Sequence, residues 1–265
     1  MSASAPTAPP ARPALVAWGC THAGQKRGSN EDALGTFVED RLFIVADGVG
    51  GHSAGEVAAT TAVDALAAFF RSFHADPRQS WPHPVDRSLS LGANLLRVGI
   101  KVANDKVRAA AAGDRSRARM ASTIVAMAVG DAQVAIGHTG DSRAYRIRGG
   151  ALHRLTRDHS IMEEMLAARP DMSVEEIATF SHRNVVTKCL GSKDDVDPTV
   201  CVEPVQPGDI YLLCSDGLWG AIPDETIAVI AQSTDDIEAA CQALIDAAND
   251  AGGPDNISAI LVRVG

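Results

Sequence analysis

Four aspartates stand at the ends of short apolar runs, far apart along the chain. Asp47 follows Leu42-Phe43-Ile44-Val45-Ala46, and Asp141 closes Val134 to Gly140. Asp216 follows Tyr211-Leu212-Leu213-Cys214-Ser215, and Asp255 precedes Ile257 to Val262. Apolar runs of this length, bounded by Gly and polar turn residues, read as buried strands. Carboxylates at neighbouring strand ends can converge on one rim of a sheet, where they suit hard cations such as Mg2+ or Mn2+. The chemistry such a convergence serves is metal-assisted hydrolysis.

Around these aspartates the sequence supplies five clusters. The first, Arg27-Gly28-Ser29-Asn30-Glu31-Asp32, puts a guanidinium near two carboxylates. A planar fork of this kind suits phosphate, while the acids could position water or metal. Taken alone it reads more readily as a surface ion-pair loop, which contributes little. The second runs from Ala46-Asp47-Gly48-Val49-Gly50-Gly51-His52 to Gly55-Glu56. Its glycines would let a backbone carbonyl, with Gly48 the candidate, approach a cation. A strand-to-helix link with a capping Asp accounts for it as well. The third, Gly137 to Tyr145, reads as a hairpin turn with Asp141 at its tip. The fourth, Cys214-Ser215-Asp216-Gly217-Leu218-Trp219-Gly220, and the fifth, Gly252-Gly253-Pro254-Asp255-Asn256-Ile257-Ser258, each set an Asp at the edge of an apolar strand.

The order and joint presence of these clusters resemble the metal-dependent protein Ser/Thr phosphatases of type 2C, above all the single-domain bacterial members that oppose Hanks-type kinases. Thr156-Arg157-Asp158-His159-Ser160 and Asn184 to Gly191 extend the likeness, which runs from about Cys20 to Val264. The resemblance implies an α+β fold, a four-layer α-β-β-α sandwich of two antiparallel sheets flanked by helices. It implies two Mn2+ or Mg2+ ions in a cleft at the sheet edge, with room for a third. Asp47 would bridge the pair, the Gly48 carbonyl would ligate one, and Asp216 and Asp255 would complete the sites. Asp141 matches the position that, with Asp216, holds a third metal. Arg27 matches the phosphate-binding arginine, and Glu31 and Asp32 match groups acting through metal-bound water. Asp47, Asp216 and Arg27 are thus the expected catalytic set, and Met165 to Arg183 resembles a mobile flap beside the cleft.

Two cations sharing a water would lower its pKa and aim it at phosphorus, with no covalent phosphoenzyme. Many eukaryotic relatives carry a His directly after the Asp-Gly pair, where this chain has Val49. A metal-bound water is therefore the expected proton donor, and His52 a structural residue. His22 and His138 are read as satisfied polar groups. The competing reading is a catalytically inactive phosphatase-like binding module, but every ligand position is filled. Phosphorylated anti-sigma antagonists are another target class, although relatives acting on them usually carry sensor domains. The expected partners are phosphorylated proteins and a Hanks-type kinase with its substrates.

The elements that must position these groups follow from periodicity. Strands are predicted at 14–18, 33–38, 41–46, 122–129, 132–137, 144–148, 200–203, 210–214 and 257–264. Helices are predicted from Gly55 to Phe73, where Val57, Val63, Leu66, Phe70 and Phe73 share a face, and through Leu91, Leu95, Val98 and Val102. Residues 160–183 read as helical with an interruption at Pro170, and two shorter helices as 224–230 and 235–250. Strands and helices fall in blocks, which favours antiparallel sheets with helices outside.

The 265 residues carry 46% hydrophobic and 22% charged side chains, enough for a sizeable core. One catalytic domain is expected over 14–265, after an Ala-, Pro- and Ser-rich disordered tail at 1–13. A net charge of −9 excludes a broadly basic nucleic-acid surface. Five cysteines without C-x-x-C spacing read as reduced thiols rather than a disulfide frame or zinc site. No apolar stretch is long enough to span a bilayer, and the start lacks a signal-peptide pattern. A cytoplasmic monomer, with no nucleic-acid or membrane partner, is the expectation.

Overall fold

A computed structural model describes residues 12–50, 54–180 and 185–265 of the chain. One sheet runs in the order β1 (Leu15–His22), β11 (Ile257–Val264), β10 (Ile210–Cys214), β7 (Arg143–Arg148), β8 (Ala151–Arg154). The other runs β2 (Asp32–Phe37), β3 (Leu42–Val49), β5 (Ile124–Val129), β6 (Gln133–Thr139), β9 (Thr199–Pro204), with the short β4 (Ala121–Ser122) on the end of β3. Every pairing in both sheets is antiparallel.

Two-residue alternation explains the layering, because successive strand side chains face opposite sides. Along β3, Phe43 and Val45 pack with Tyr211, Leu213, Ile260 and Val262 of the opposite sheet. Leu42, Ile44 and Ala46 turn the other way, against helices α1 (Ala54–Ala75) and α2 (Leu91–Ala111). On β10 and β11, Leu212, Cys214, Ala259 and Leu261 pack under α5 (Asp216–Trp219), α6 (Asp224–Ala231) and α7 (Ile237–Asp250). Both sheets are therefore apolar on both faces, and four layers result, as the resemblance implied.

Two expectations change in detail. The link from β6 to β7 is not a hairpin: its strands lie in different sheets, and the turn carrying Asp141 crosses the gap between them. Gly48 and Val49, beyond the strand predicted at 41–46, extend β3 and pair with Ser122 and Ala121. As expected, the helical stretch after Ser160 divides at Pro170, into α3 (Ile161–Ala168) and α4 (Val174–Thr179). Part of the expected flap and His52 lie outside the described residues.

A Gly149-Gly150 hairpin joins β7 to β8, with both glycines at positive φ as such a turn requires. All five cysteines are free thiols. Among the described residues no helix is long and apolar enough to cross a membrane.

Candidate active site

Asp47 continues the β3 face of Phe43 and Val45, the face turned toward the opposite sheet. Its side chain therefore enters the gap at the point where apolar packing ends. Its cross-strand partner is Asp32, so two carboxylates stand directly opposite each other. Like charges in that relation destabilise a sheet unless a counter-charge intervenes. From the other sheet come Asp216, at the start of α5 after β10, and Asp255, just ahead of β11. Asp141 arrives on the crossing turn. Arg27, Glu31, Asp47, Gly48, Asp141, Asp216 and Asp255 all line one cavity of about 500 Å3, with Thr123 and Asn256. Asp32 lies beneath it, buried, and Ser215 Oγ donates to its Oδ2 at 2.8 Å.

The backbone around Asp47 is held from three directions. Its N–H donates to Thr123 Oγ1 at 3.1 Å, and its carbonyl accepts from Thr123 N at 2.8 Å and Ser122 Oγ at 3.1 Å. Thr123 Oγ1 also shares a hydrogen bond with Ser142 Oγ, 2.7 Å away and next to Asp141. The break between β4 and β5 falls at Thr123, so the residue released from the ladder fastens the aspartate. Asn256 performs a similar task on the other side. Its side chain accepts from Glu31 N at 2.8 Å and donates to the carbonyls of Ala23 and Ser29, closing the Arg27 loop onto the Asp255 turn.

Neither Thr123 nor Asn256 stood out as a positioning residue in the sequence. A hydroxyl on a strand and an Asn in a Gly-Pro turn have ordinary local explanations. Ser215 joins them: besides bonding Asp32 it accepts from Ser258 N at 3.0 Å, linking the two sheets.

The charges are crowded. Burial, together with the other acids, raises the Asp32 and Asp141 carboxyls to about 7. Burial raises Asp47 well above the usual carboxylate range, reinforced by Asp32 and Asp216. Asp216 is raised too, by burial and by Asp255. Glu31 is shifted upward mainly by desolvation. Arg27 is the one cation on this rim among the described lining residues; its Nη2 donates to Asp255 Oδ2 at 2.7 Å, a bond that raises its own pKa.

A divalent cation answers this imbalance, and the donor atoms fit one. Asp216 Oδ1 and Asp32 Oδ1 are buried without a hydrogen-bond partner. A Cβ on Gly55 would lie 2.0 Å from Glu31 Oε2 and 2.8 Å from the Gly48 carbonyl oxygen, so those two oxygens converge on the same spot. No three carboxylate, imidazole or thiol side chains among the described residues close on a common point like a chelate for a single ion. Such an arrangement suits hard cations that complete their shells with backbone oxygen and water, as Mg2+ does, better than a closed structural site.

The sequence profile described as Protein phosphatase 2C matches residues 19–261. The chain belongs to that family. Within it, the serine/threonine phosphatase stp of Listeria monocytogenes is 32% identical, over 92% of this chain and 93% of its own length. The protein phosphatase PhpP of Streptococcus pneumoniae is 33% identical, over 92% and 95%. Among solved structures, the catalytic domain of the serine threonine protein phosphatase PstP in complex with 2 manganese ions matches with a TM-score of 0.78 at 29% identity. That match covers 94% of this chain and 98% of the PstP chain. The fold expected of a protein phosphatase 2C is thus the fold found.

The histidines behave as expected of satisfied polar groups. His22 Nδ1 accepts from Gly24 N at 2.9 Å, and His138 Nε2 bonds the Arg157 carbonyl at 2.8 Å.

Proposed function

We propose that this protein phosphatase 2C hydrolyses phosphoserine and phosphothreonine monoesters in proteins, using divalent cations held in the acidic cavity. The observation that carries this reading is the meeting of carboxylates from both sheets with a single rim guanidinium in one cavity. Asp47, the Gly48 carbonyl, Asp216 and Asp255 would hold two ions, Mn2+ or Mg2+. Asp141 with Asp216 would hold a third. Bound there, the ions supply positive charge for the phosphoryl oxygens and acidify a water for in-line attack.

The chain's own groups do the remaining work. Arg27, more than half exposed at the rim, would exchange its bond to Asp255 for the phosphoryl oxygens, where a forked donor outperforms a point charge. Glu31 and Asp32 would orient waters from behind the ligands. Thr123 and Ser142 keep Asp47 and Asp141 at a fixed separation, so geometry need not be found anew at each turnover. Val49, exposed beside the cavity, offers no proton, and water inside the site would protonate the leaving alkoxide.

The reading assigns residues 14–265 to one catalytic unit, working in the cytoplasm on proteins phosphorylated by a Hanks-type kinase. The names of the bacterial relatives, a serine/threonine phosphatase and a protein phosphatase, support phosphorylated proteins as the substrate class. An inactive binding module finds no support, since every acidic position is occupied by Asp.

The test is hydrolysis of an aryl phosphate and of a phosphothreonine peptide with and without Mn2+. Asp47→Ala and Asp216→Ala should each reduce metal-dependent kcat by at least about a thousandfold with circular dichroism unchanged. Near-full activity in either folded variant would remove the assigned metal site.

A further inference from the structure

Asp141 and Asp216 border a second cavity, of about 490 Å3, on their far side. Trp219 and Arg143 form its floor, and Met162 and Leu166 of α3 with Ile177 of α4 form its roof. The floor is fixed. Arg143 donates through Nε and Nη2 to Asp158 at 3.0 and 2.7 Å and through Nη1 to Tyr145 Oη at 3.0 Å. Its guanidinium lies 3.5 Å from the centre of the Trp219 ring, and Trp219 Nε1 donates to the Asp141 carbonyl at 3.0 Å. The roof is loosely held, because α3 buries none of its residues.

The basic side chains around this space are committed within the protein. Arg143 is committed to Asp158, and Arg154 to Glu163, which also accepts from Arg157 Nε at 3.1 Å. What remains facing the cavity is a thioether, two branched aliphatic chains and an indole, besides the Asp141–Asp216 wall, whose carboxylates the proposed cations would take. With those carboxylates taken, a charged side chain entering there would lose water without gaining a partner, whereas an apolar one loses nothing. Methionine on such a wall also adapts its shape to what it meets.

We propose that this second cavity is a subsite for one apolar side chain of the phosphorylated protein, and that Leu166 and Ile177 set the preference. The proposal rests on the phosphatase reading. If the phosphoryl group sits over Asp47 and Asp216, the peptide carrying it passes the shared Asp141–Asp216 wall. At about 3.3–3.6 Å per residue, a side chain one or two positions from the phosphoresidue reaches the space beyond.

The experiment uses the full chain with Mn2+ and phosphothreonine peptides differing only by Leu or Ser at each of the two positions on either side. Rates are divided by the same protein's rate on an aryl phosphate, which reports the catalytic centre alone. Wild type should favour Leu at one position by about tenfold in kcat/KM, and Leu166→Ser should reduce that ratio below about threefold. Equal rates for Leu and Ser at all four positions, or a preference that survives Leu166→Ser undiminished, overturns the subsite. Should Leu166→Ser fail to fold, Ile177→Ala is read against the same two outcomes. Absence of any aryl phosphate hydrolysis by wild type would instead overturn the phosphatase reading, and the subsite with it.

Discussion

Asn256 shows how much of this site depends on a residue that never touches phosphate. Its three side-chain hydrogen bonds satisfy Glu31 N and two loop carbonyls, and it is almost fully buried. Asn256→Ala leaves those groups without partners, and each unmet buried group costs about 1–3 kcal/mol. We expect a loss of roughly 2–4 kcal/mol in urea denaturation, partly relieved where water enters. Because the loop so fixed carries Arg27, KM for an aryl phosphate should rise in the same variant. Arg27→Lys separates that effect from folding. It keeps the charge but not the fork, so KM should rise about tenfold while urea stability stays within about 0.5 kcal/mol. An unchanged KM would mean that Arg27 serves only its ion pair with Asp255.

Among the elements, β3 is the one the site cannot do without, and Gly48 within it has no room for a side chain. A Cβ there would lie 2.1 Å from the Gly55 carbonyl oxygen and 2.5 Å from that of Glu31, both backbone atoms. Gly48→Ala should therefore cost more than about 3 kcal/mol or yield no soluble protein, as a thermal melt or expression trial would show. The sequence singled out Gly48 for its carbonyl; the clash on either side is a second reason that only the fold reveals. Much else was legible, because an unbroken apolar run such as Leu42 to Ala46 marks a strand buried on both faces and Asp47 stands at its end. The crossing at Asp141 was not. A three-residue turn between two apolar strands looks alike whether it closes a hairpin or passes between sheets, since the distinction lies in which distant strands pair. What secures the crossing is His159, whose Nδ1 accepts from Gly140 N at 3.1 Å and whose Nε2 meets Thr199 Oγ1 at 2.9 Å. Burial holds this imidazole neutral and lowers its pKa to about 3. A base depressed in the folded state contributes stability above its unfolded value, near 6.5, and loses it as pH falls toward 3. Wild type should lose unfolding free energy on acidification from pH 6.5 to 5 relative to His159→Gln, measured by parallel urea titrations. Matching slopes in the two proteins would exclude the histidine.

For the molecule as a whole, the acidic cavity works in the opposite sense, and the cations decide which sense prevails. Asp32 and Asp141 are raised to about 7, and Asp47 and Asp216 are raised as well, chiefly by burial. Without metal, the folded chain then binds more protons than the unfolded chain between about pH 4 and 7. Its stability is complete below the unfolded carboxylate pKa and declines as pH rises through the folded values, by about 1.4 kcal/mol per pH unit for each proton held. Cations bound to the same carboxylates take the place of those protons and remove the decline. Saturating Mn2+ should thus stabilise the protein little at pH 5 and strongly at pH 7.5, by about 2.7 kcal/mol once free metal reaches a hundred times Kd. Thermal melts with Mn2+ and with a chelator, at matched ionic strength across that range, give the increment directly. The His159 contribution is present in both arms and cancels in the difference. An increment independent of pH would mean that the ions bind away from the buried aspartates, and that the cavity keeps its protons instead.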